Sequence, residues 1–242
     1  IEPSIAVVLG DRVEALHFAL SCAGMGVPIA HLHGGELSFG SRDELYRHAI
    51  TKLSSLHFPS SKASAKRLAA MGENPDTISF FGPISADRIR NYRKFTREEL
   101  SLEFGVKFGE QTAIVSMHGA KFDSPSTSTH LKALLCAFDG LEDFFFIFTG
   151  PNADPESRGL DEVIKSYCTR NPERASFVEN FGSDAFLSVL SECDIAIGNS
   201  SSFVHEAPEL GTPALLLGSR QSGRYEKNGQ IRSIGANSHQ IQ

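Results

Sequence analysis

The 242-residue sequence predicts an α/β fold in which two doubly wound domains each contain a parallel sheet. Short continuous apolar runs, such as residues 5–9 (IAVVL), are typical of strands that are buried on both faces. These runs alternate with segments that carry apolar residues at helical spacing, which indicates repeated βαβ units. A charged segment over residues 87–97 has few apolar residues and is the predicted linker. We therefore expect a first domain over residues 1–92 and a second over residues 93–242.

The order of elements follows from the same alternation. In the first helix, Ala15, Phe18, Ala19 and Cys22 recur at helical spacing, and Gly24 lies where that helix would end. In the first domain, strands are expected over residues 5–9, 27–32, 56–58 and 78–81, and helices over residues 12–25, 42–53 and 60–71. In the second domain, strands are expected over residues 112–116, 144–149, 175–178, 195–197 and 214–217, and helices over residues 128–138, 160–167, 184–191 and 202–210.

The composition excludes several classes of function. The formal net charge is −6 and the sequence contains no run of Lys or Arg, so a nucleic-acid partner is not expected. The sequence has no stretch close to the roughly 18 apolar residues that a membrane span needs, so a membrane partner is not expected either. The four cysteines have no metal-binding spacing. An anionic nucleotide remains a suitable ligand, because it needs only a locally positive pocket.

Polar residues follow the first two predicted strands where those strands end. Asp11 follows the first strand, His31 and His33 end the second, and residues 34–36 (GGE) come next. Ligands of open α/β sheets bind at this edge of the sheet. The two glycines allow a ligand to approach the backbone closely.

A helix with further charged residues begins shortly afterwards. It contains Asp43, Glu44, Arg47 and His48, and Lys52 lies near its end. Several carboxylates and imidazoles in one pocket are suited to removing and returning a proton. A purely structural interpretation treats Asp43 and Glu44 as helix-capping residues and His48 as a core histidine.

The second domain has its own group of polar residues at strand ends. His118 follows the strand over residues 112–116, and residues 198–202 (GNSSS) join a strand to a helix. Backbone N–H groups and hydroxyls at such a junction can bind an anion, although serine is also a common helix cap. Residues 220–224 (RQSGR) follow the last predicted strand and could contact a phosphate or form a solvated basic turn.

These motifs together resemble the hydrolysing UDP-N-acetylglucosamine 2-epimerases of sialic-acid and legionaminic-acid synthesis. The matching segments are residues 8–14 (VLGDRVE), 31–36 (HLHGGE), 43–54 (DELYRHAITKLS), 148–154 (FTGPNAD), 198–202, 206–208 (EAP) and 220–224. The resemblance implies a GT-B architecture with two Rossmann-like domains and a cleft between them. Members of this family are longer at both ends, so we expect an incomplete N-terminal domain.

The resemblance also implies the chemistry and the residues that perform it. The family eliminates UDP across C1 and C2 of the sugar, then adds water to release UDP and the free manno sugar. The implied acid–base residues are Asp11, His33, Glu36, Glu44 and His118. The implied substrate-binding residues are Arg47, Asn199, Ser200, Ser201, Ser202, Glu206, Arg220 and Arg224. No cofactor and no metal ion are implied, and a cytoplasmic homo-oligomer is a further expectation.

Three positions depart from the family pattern. Phe203 lies where relatives commonly have glycine, and Gly119 lies where proline usually follows the histidine. His33 lies where many relatives have Glu or Gln, which could signal a different sugar such as a 2,4-diacetamido-trideoxy hexose. At this position a histidine would titrate closer to neutral pH than a carboxylate.

Three alternatives remain open from the sequence. A non-hydrolysing epimerase would carry His-x-Glu-Ala-Gly over residues 31–35 and a Gly-Gly loop after the serine, and this sequence has neither. Another GT-B glycosyltransferase would explain the anion loop and Glu206, but not the segment over residues 43–52. A non-catalytic UDP-sugar-binding fragment would bind UDP without turnover.

Overall fold

The computed structural model describes residues 3–38, 42–121, 123–225 and 229–235. These residues divide into two compact units. Unit 1 comprises the described residues up to Asp87 together with Ser222–Arg224, and unit 2 comprises the other described residues from Arg88 onward. No helix in the described part of the chain combines the length and apolarity that crossing a membrane requires.

Unit 1 contains a three-stranded parallel sheet in the order β1-β2-β3. Its strands are β1 (Ala6–Leu9), β2 (Ile29–Leu32) and β3 (Leu56–Phe58). The helices that follow are α1 (Val13–Gly24), α2 (Asp43–Leu53), α3 (Lys62–Ala70) and α4 (Ile84–Asn91), and the boundary between the units falls within α4. With one exception, the elements predicted for this region are confirmed to within two residues.

The exception is the strand predicted over residues 78–81, which is wrong. Only Ile78 pairs with the sheet, through an isolated bridge to His57. Phe80 and Phe81 are 41% and 84% exposed, so they provide no buried face that could hold a fourth strand. An apolar run therefore predicted a strand where the two phenylalanines are exposed and Ile78 is only partly buried.

A buried histidine connects three parts of unit 1. The fully buried His31 on β2 donates from Nε2 to the Gly10 carbonyl at 2.8 Å, and its Nδ1 lies 3.1 Å from the Thr51 hydroxyl on α2. Burial lowers the pKa of His31 to about 4. A neutral imidazole satisfies both contacts, because Nε2–H donates while Nδ1 accepts. His31 thereby holds α2 against the loop that follows β1.

Unit 2 contains a six-stranded parallel sheet in the order β6-β5-β4-β7-β8-β9. The strands are β4 (Gln111–Ser116), β5 (Phe144–Thr149), β6 (Ala175–Val178), β7 (Ile195–Gly198), β8 (Ala214–Leu217) and β9 (Ile231–Ile234). The helices are α5 (Arg97–Phe104), α6 (Thr127–Phe138), α7 (Leu160–Arg170), α8 (Ser183–Glu192), α9 (Ser202–His205) and α10 (Ala207–Leu210). The sequence did not predict α4, α5 or β9.

The segment predicted as a linker contains helical residues at both ends. Helix α4 extends to Asn91 and α5 begins at Arg97. A reciprocal capping box between Thr96 and Glu99 fixes the start of α5, since each side chain accepts from the other residue's backbone N–H. The charged segment therefore consists of the end of α4, an irregular connection over residues 92–96, and the start of α5.

The single helix predicted over residues 202–210 is also wrong, because α9 and α10 are separate short helices that meet at Glu206. Pro208 lies in the first turn of α10. A proline has no backbone N–H to donate to the carbonyl of Val204, four residues earlier, so a continuous helix would lose that hydrogen bond.

Both faces of the unit 2 sheet are packed. On β5, Phe146 and Phe148 enter the core under α6 and α7, while Phe145 and Ile147 enter the core on the opposite face. The Phe146 ring stacks on Phe138 of α6 with 3.7 Å between centroids. This two-sided burial confirms the predicted doubly wound parallel sheet for unit 2.

The parallel arrangement brings the carboxyl ends of four strands to one edge of the sheet. Strands β4, β5, β7 and β8 end at Ser116, Thr149, Gly198 and Leu217, and adjacent strands pair in register. The loops that follow these residues carry the polar groups identified from the sequence.

We predict that Phe146→Ala destabilises unit 2 by about 3–5 kcal/mol, because it removes a fully buried ring and leaves a cavity. Leu102→Ala is the matched control, since Leu102 is 88% exposed, and should change stability by less than about 0.5 kcal/mol. Guanidinium denaturation followed by circular dichroism measures both. Equal stabilities for the two variants would contradict the described packing.

We also predict that His31 makes the stability of the chain depend on pH. The pKa of about 4 in the folded state lies below the ordinary value of 6.5, so the unfolded chain takes up the proton first. The stabilisation is therefore complete above pH 6.5 and is lost as the pH falls from 6.5 to about 4, by roughly 3 kcal/mol.

His31→Gln should flatten this part of the pH profile, while His17→Gln on the exposed face of α1 should leave the profile unchanged. The free energy of unfolding, measured by urea denaturation at several pH values, gives both slopes. An unchanged slope in His31→Gln would show that this imidazole is not the titrating group.

Candidate functional site

A buried guanidinium organises the polar cluster of unit 1. The fully buried Arg47 on α2 donates from Nη1 to the Glu36 carbonyl at 2.9 Å and to the Ser38 hydroxyl at 3.1 Å. Its Nη2 donates to the carboxylate of Asp11 in the loop after β1. Arg47, which the resemblance suggested as a substrate ligand, thus holds the loop after β1 against the segment after β2.

A second arginine joins the same carboxylates. Arg224 belongs to Ser222–Arg224, the short segment that forms part of unit 1. Its Nη2 lies 2.6 Å from Asp11 Oδ2, and its Nε lies 3.5 Å from Glu36 Oε2. Asp11 Oδ2 therefore accepts from two guanidinium groups. The sequence suggested a phosphate contact for Arg224, whereas the structure places it against two carboxylates.

An imidazole and a hydroxyl share the other oxygen of Glu36. His33 Nδ1 lies 2.9 Å from Glu36 Oε1, and the Ser60 hydroxyl donates to the same oxygen at 2.5 Å. Glu36 is 5% exposed, whereas the His33 side chain is 16% exposed. The Ile84 backbone N–H points at His33 Nε2 from 3.4 Å. These contacts fit an imidazole that donates from Nδ1 and accepts at Nε2.

His33 has an unusual backbone conformation. Its φ of 65° is the only positive φ among the described residues other than glycine. A left-handed conformation is strained for a side chain of this size, and such residues cluster at functional sites. This backbone conformation was not predicted from the sequence.

Glu44 and His48 lie near the start of α2. Glu44 accepts the Ser38 backbone N–H at 2.5 Å and so helps to order the segment after β2. Burial lowers the pKa of His48, and its buried Nδ1 has no hydrogen-bond partner in the described chain. Lys52, near the end of the same helix, donates to the Glu73 carboxylate and to the carbonyl of Met71.

In unit 2, His118 is held from several sides. The Asn199 side chain accepts the His118 backbone N–H at 2.7 Å and donates to its carbonyl at 2.8 Å. His118 Nδ1 accepts the Asn152 backbone N–H at 3.0 Å, and Nε2 lies 3.3 Å from the Ser116 hydroxyl. Burial and the nearby charge of Arg220 lower the pKa of His118 to about 4. The imidazole is therefore neutral near pH 7.

The predicted anion loop is fixed by its first two residues. Gly198 has a φ of 144°, and a Cβ added there would overlap the Ser116 carbonyl oxygen, so only glycine fits. The Asn199 carbonyl accepts from Arg220 Nη1 at 2.9 Å and from Gln221 Nε2 at 2.8 Å. Both polar groups of the Asn199 side chain are occupied by the backbone of His118, so Asn199 positions the loop through internal contacts.

The serines and the acidic residue of this region have different surroundings. Ser200 is buried and accepts the Ser202 backbone N–H at 3.4 Å, while Ser201 and Ser202 are partly exposed at the start of α9. Glu206 is partly buried between α9 and α10. Phe203 is fully buried in the core, so its ring does not occupy the space beside the serines.

A cavity of about 430 Å³ lies beside these residues. Its polar lining includes His118, Ser200 and Ser202, and aromatic lining comes from Phe181 and Phe186. The two phenylalanines of the cavity lining were not predicted from the sequence. The signal was available, because residues 179–182 follow a predicted strand at the same ligand-binding edge.

The complete sequence matches one protein family. The model of the UDP-N-acetylglucosamine 2-epimerase family matches residues 1–242. The GDP/UDP-N,N'-diacetylbacillosamine 2-epimerase (hydrolyzing) of Campylobacter jejuni is 34% identical, over 96% of this chain and 61% of that protein. The UDP-N,N'-diacetylbacillosamine 2-epimerase (hydrolyzing) of Legionella pneumophila is 31% identical, over 95% of this chain and 60% of that protein. The chain thus spans about three fifths of the length of these relatives.

Solved structures show the same fold at low sequence identity. The Methanocaldococcus jannaschii UDP-GlcNAc 2-epimerase in complex with UDP-GlcNAc and UDP has a TM-score of 0.78 and 19% identity, covering 99% of this chain and 67% of that one. The Neisseria meningitidis UDP-GlcNAc 2-epimerase bound to UDP-GlcNAc has a TM-score of 0.75 and 18% identity, covering 99% and 66%. These similarities confirm the predicted GT-B-like α/β fold class, and the family match shows that the chain belongs to the UDP-N-acetylglucosamine 2-epimerase family.

Proposed function

We propose that this chain carries the catalytic and nucleotide-binding groups of a hydrolysing 2-epimerase for a UDP-N-acetylglucosamine-type sugar nucleotide. The observation that carries the proposal is the His33–Glu36 pair, set among the arginines and carboxylates of unit 1. The printed names of the Campylobacter and Legionella relatives support the hydrolysing reaction. Those names also support a 2,4-diacetamido sugar as substrate, in line with His33 standing where many relatives have Glu or Gln.

The proposed reaction has two steps, an elimination and a hydration. In the first, a base removes the proton from C2 while the C1–O bond breaks, and UDP leaves with the electron pair of that bond. The product is a C1–C2 alkene. In the second, water adds its hydroxyl to C1, and a proton returns to C2 from the opposite face. The products are UDP and the free manno-configured sugar.

The geometry of unit 1 favours His33 as the group that moves the proton. Glu36 is almost completely buried, and its Oε1 already contacts the Ser60 hydroxyl and His33 Nδ1. In this position Glu36 orients the imidazole and stabilises its protonated form, as the carboxylate does in other carboxylate–histidine pairs. Nε2 of His33, the ring nitrogen that does not contact Glu36, is then the atom that exchanges protons with the sugar.

Asp11 and Glu44 have supporting roles in this proposal. Asp11 Oδ2 accepts from both Arg47 and Arg224, so its negative charge balances two buried guanidinium groups. Glu44 orders the segment that contains Glu36, through the Ser38 backbone. The remaining oxygen of each carboxylate can accept from a hydroxyl of the sugar.

Unit 2 supplies the groups for UDP. Ser200 and Ser202 line the cavity, Ser201 lies between them in the sequence, and Arg220 offers positive charge next to the Asn199 carbonyl. These groups suit a diphosphate that gains negative charge as it leaves. The aromatic rings that line the cavity are suited to the base, and the carboxylate of Glu206 is suited to the ribose hydroxyls.

The reaction can be tested by incubating the full-length protein and this chain separately with UDP-N-acetylglucosamine in D₂O. We expect the full-length protein to release UDP and N-acetylmannosamine that carries deuterium at C2, as seen by NMR. If the substrate stays intact, a 2,4-diacetamido UDP-sugar is the second substrate to test. Retention of UDP on the epimerised sugar would support the non-hydrolysing reaction, and absence of turnover on both substrates would overturn the proposal.

We predict that His33→Gln and Glu36→Gln each lower kcat by about 10²–10⁴-fold, because each breaks the pair that transfers the proton. The double variant should lose little more than the worse single variant, since the two side chains act as a unit. His17→Gln is the matched control. Steady-state UDP release measures all four. A double variant whose loss equals the product of the single losses would show that the two residues act independently.

We predict that Arg220→Gln weakens UDP binding by about tenfold or more, because a positive charge beside the phosphates is lost. The same variant should raise the pKa of His118 above about 4, since the charge of Arg220 is one cause of its low value. Arg170→Gln, at the exposed end of α7, is the control. Calorimetry measures UDP affinity and NMR titration measures the His118 pKa. If UDP affinity is unchanged, Arg220 does not contact the nucleotide.

A further inference from the structure

Asp123 is a buried carboxylate that the proposed reaction does not use. It lies in the loop between β4 and α6, and its side chain is 1% exposed. Its Oδ1 accepts both the backbone N–H and the hydroxyl of Ser219, each at 2.6 Å. Burying a carboxylate costs free energy that hydrogen bonds must offset. The two hydrogen bonds from Ser219 provide that compensation for Asp123.

The loop after β8 is shaped to receive this carboxylate. Gly218 precedes Ser219 and has a φ of 75°, a conformation that favours glycine. A Cβ added at Gly218 would overlap the carboxylate of Asp123. The absence of a side chain at Gly218 therefore allows the backbone to lie close to the Asp123 carboxylate.

The other oxygen of Asp123 faces a histidine. Oδ2 lies 4.0 Å from Nδ1 of His130 on α6, and His130 is 2% exposed. Both atoms are buried, and neither has a hydrogen-bond partner within the described residues. Among the described residues, the hydrogen bonds of the Asp123 side chain are both made with Ser219, so this carboxylate acts on the loop after β8.

Ser219 leads directly into the residues that organise the proposed UDP site. Arg220 and Gln221 come next in the sequence, and both donate to the Asn199 carbonyl. The Asn199 side chain in turn holds the backbone of His118 on both sides. Hydrogen bonds from Asp123 to Ser219, the backbone from Ser219 to Gln221, and hydrogen bonds through Asn199 therefore connect Asp123 to the anion loop and to His118.

We propose that Asp123 is a positioning residue for nucleotide binding, which fixes the loop after β8 so that Arg220 and Gln221 hold Asn199 in place. The proposal rests on the proposed function, because it takes Arg220 and the anion loop as the groups that bind UDP. Asp123 acts through Ser219 and has no direct contact with the nucleotide or the sugar in this proposal.

The test compares Asp123→Ala with Asp123→Asn in the full 242-residue chain, and uses UDP as the probe. We expect Asp123→Ala to weaken UDP binding by about tenfold or more, because both hydrogen bonds to Ser219 are lost. Asp123→Asn keeps an oxygen that can accept from Ser219, so its UDP affinity should stay within about threefold of the original. Glu162→Ala, on the exposed face of α7, is the matched control.

A second measurement does not depend on UDP. In Asp123→Ala, release of Arg220 should raise the pKa of His118, which NMR titration of the imidazole detects while circular dichroism confirms the fold. The proposal is overturned if Asp123→Ala changes neither this pKa nor UDP affinity, or if Asp123→Asn is as impaired as Asp123→Ala. If the unmodified chain does not bind UDP, the proposed function fails, and the His118 titration still tests the role of Asp123.

Discussion

The complete burial of the Arg47 guanidinium is the constraint around which unit 1 is organised. A buried charge of this kind is tolerated only when acceptors surround it. Asp11, the Glu36 carbonyl and the Ser38 hydroxyl supply those acceptors, and they come from the segments that follow β1 and β2. The acceptors of Arg47 thereby hold together the segments that contain the proposed acid–base pair.

Unit 2 achieves the same organisation with a neutral side chain. The side-chain amide of Asn199 hydrogen-bonds to the backbone of His118. The backbone carbonyl of Asn199 accepts from Arg220 and Gln221. Three loops at the carboxyl edge of the sheet are thereby linked through one residue. Gly198 makes this possible, since any side chain there would overlap β4. The parallel sheet sets the strand ends side by side, and these contacts convert that arrangement into a defined site.

Much of the fold could be predicted because strand and helix periodicities are local properties of the sequence. The failures occurred where tertiary context decides the outcome. Phe80 and Phe81 suggested a strand over residues 78–81 but are exposed, and Pro208 divides a segment with helical periodicity. The candidate site residues could be proposed from the sequence because they follow strands or lie in family motifs. Their partners could not, since the contacts of Arg224 with Asp11 and of Asp123 with Ser219 join residues far apart in the sequence.

We propose that UDP leaves by cleavage of the C1–O bond, with proton transfer at C2 by a histidine that a carboxylate orients. The most direct measurement is the mass of the released UDP after reaction of the full-length protein in H₂¹⁸O. We expect UDP without ¹⁸O, because the bridging oxygen stays with the phosphate when the C1–O bond breaks. Incorporation of ¹⁸O into UDP would mean that water attacks phosphorus, and that result would contradict the elimination mechanism.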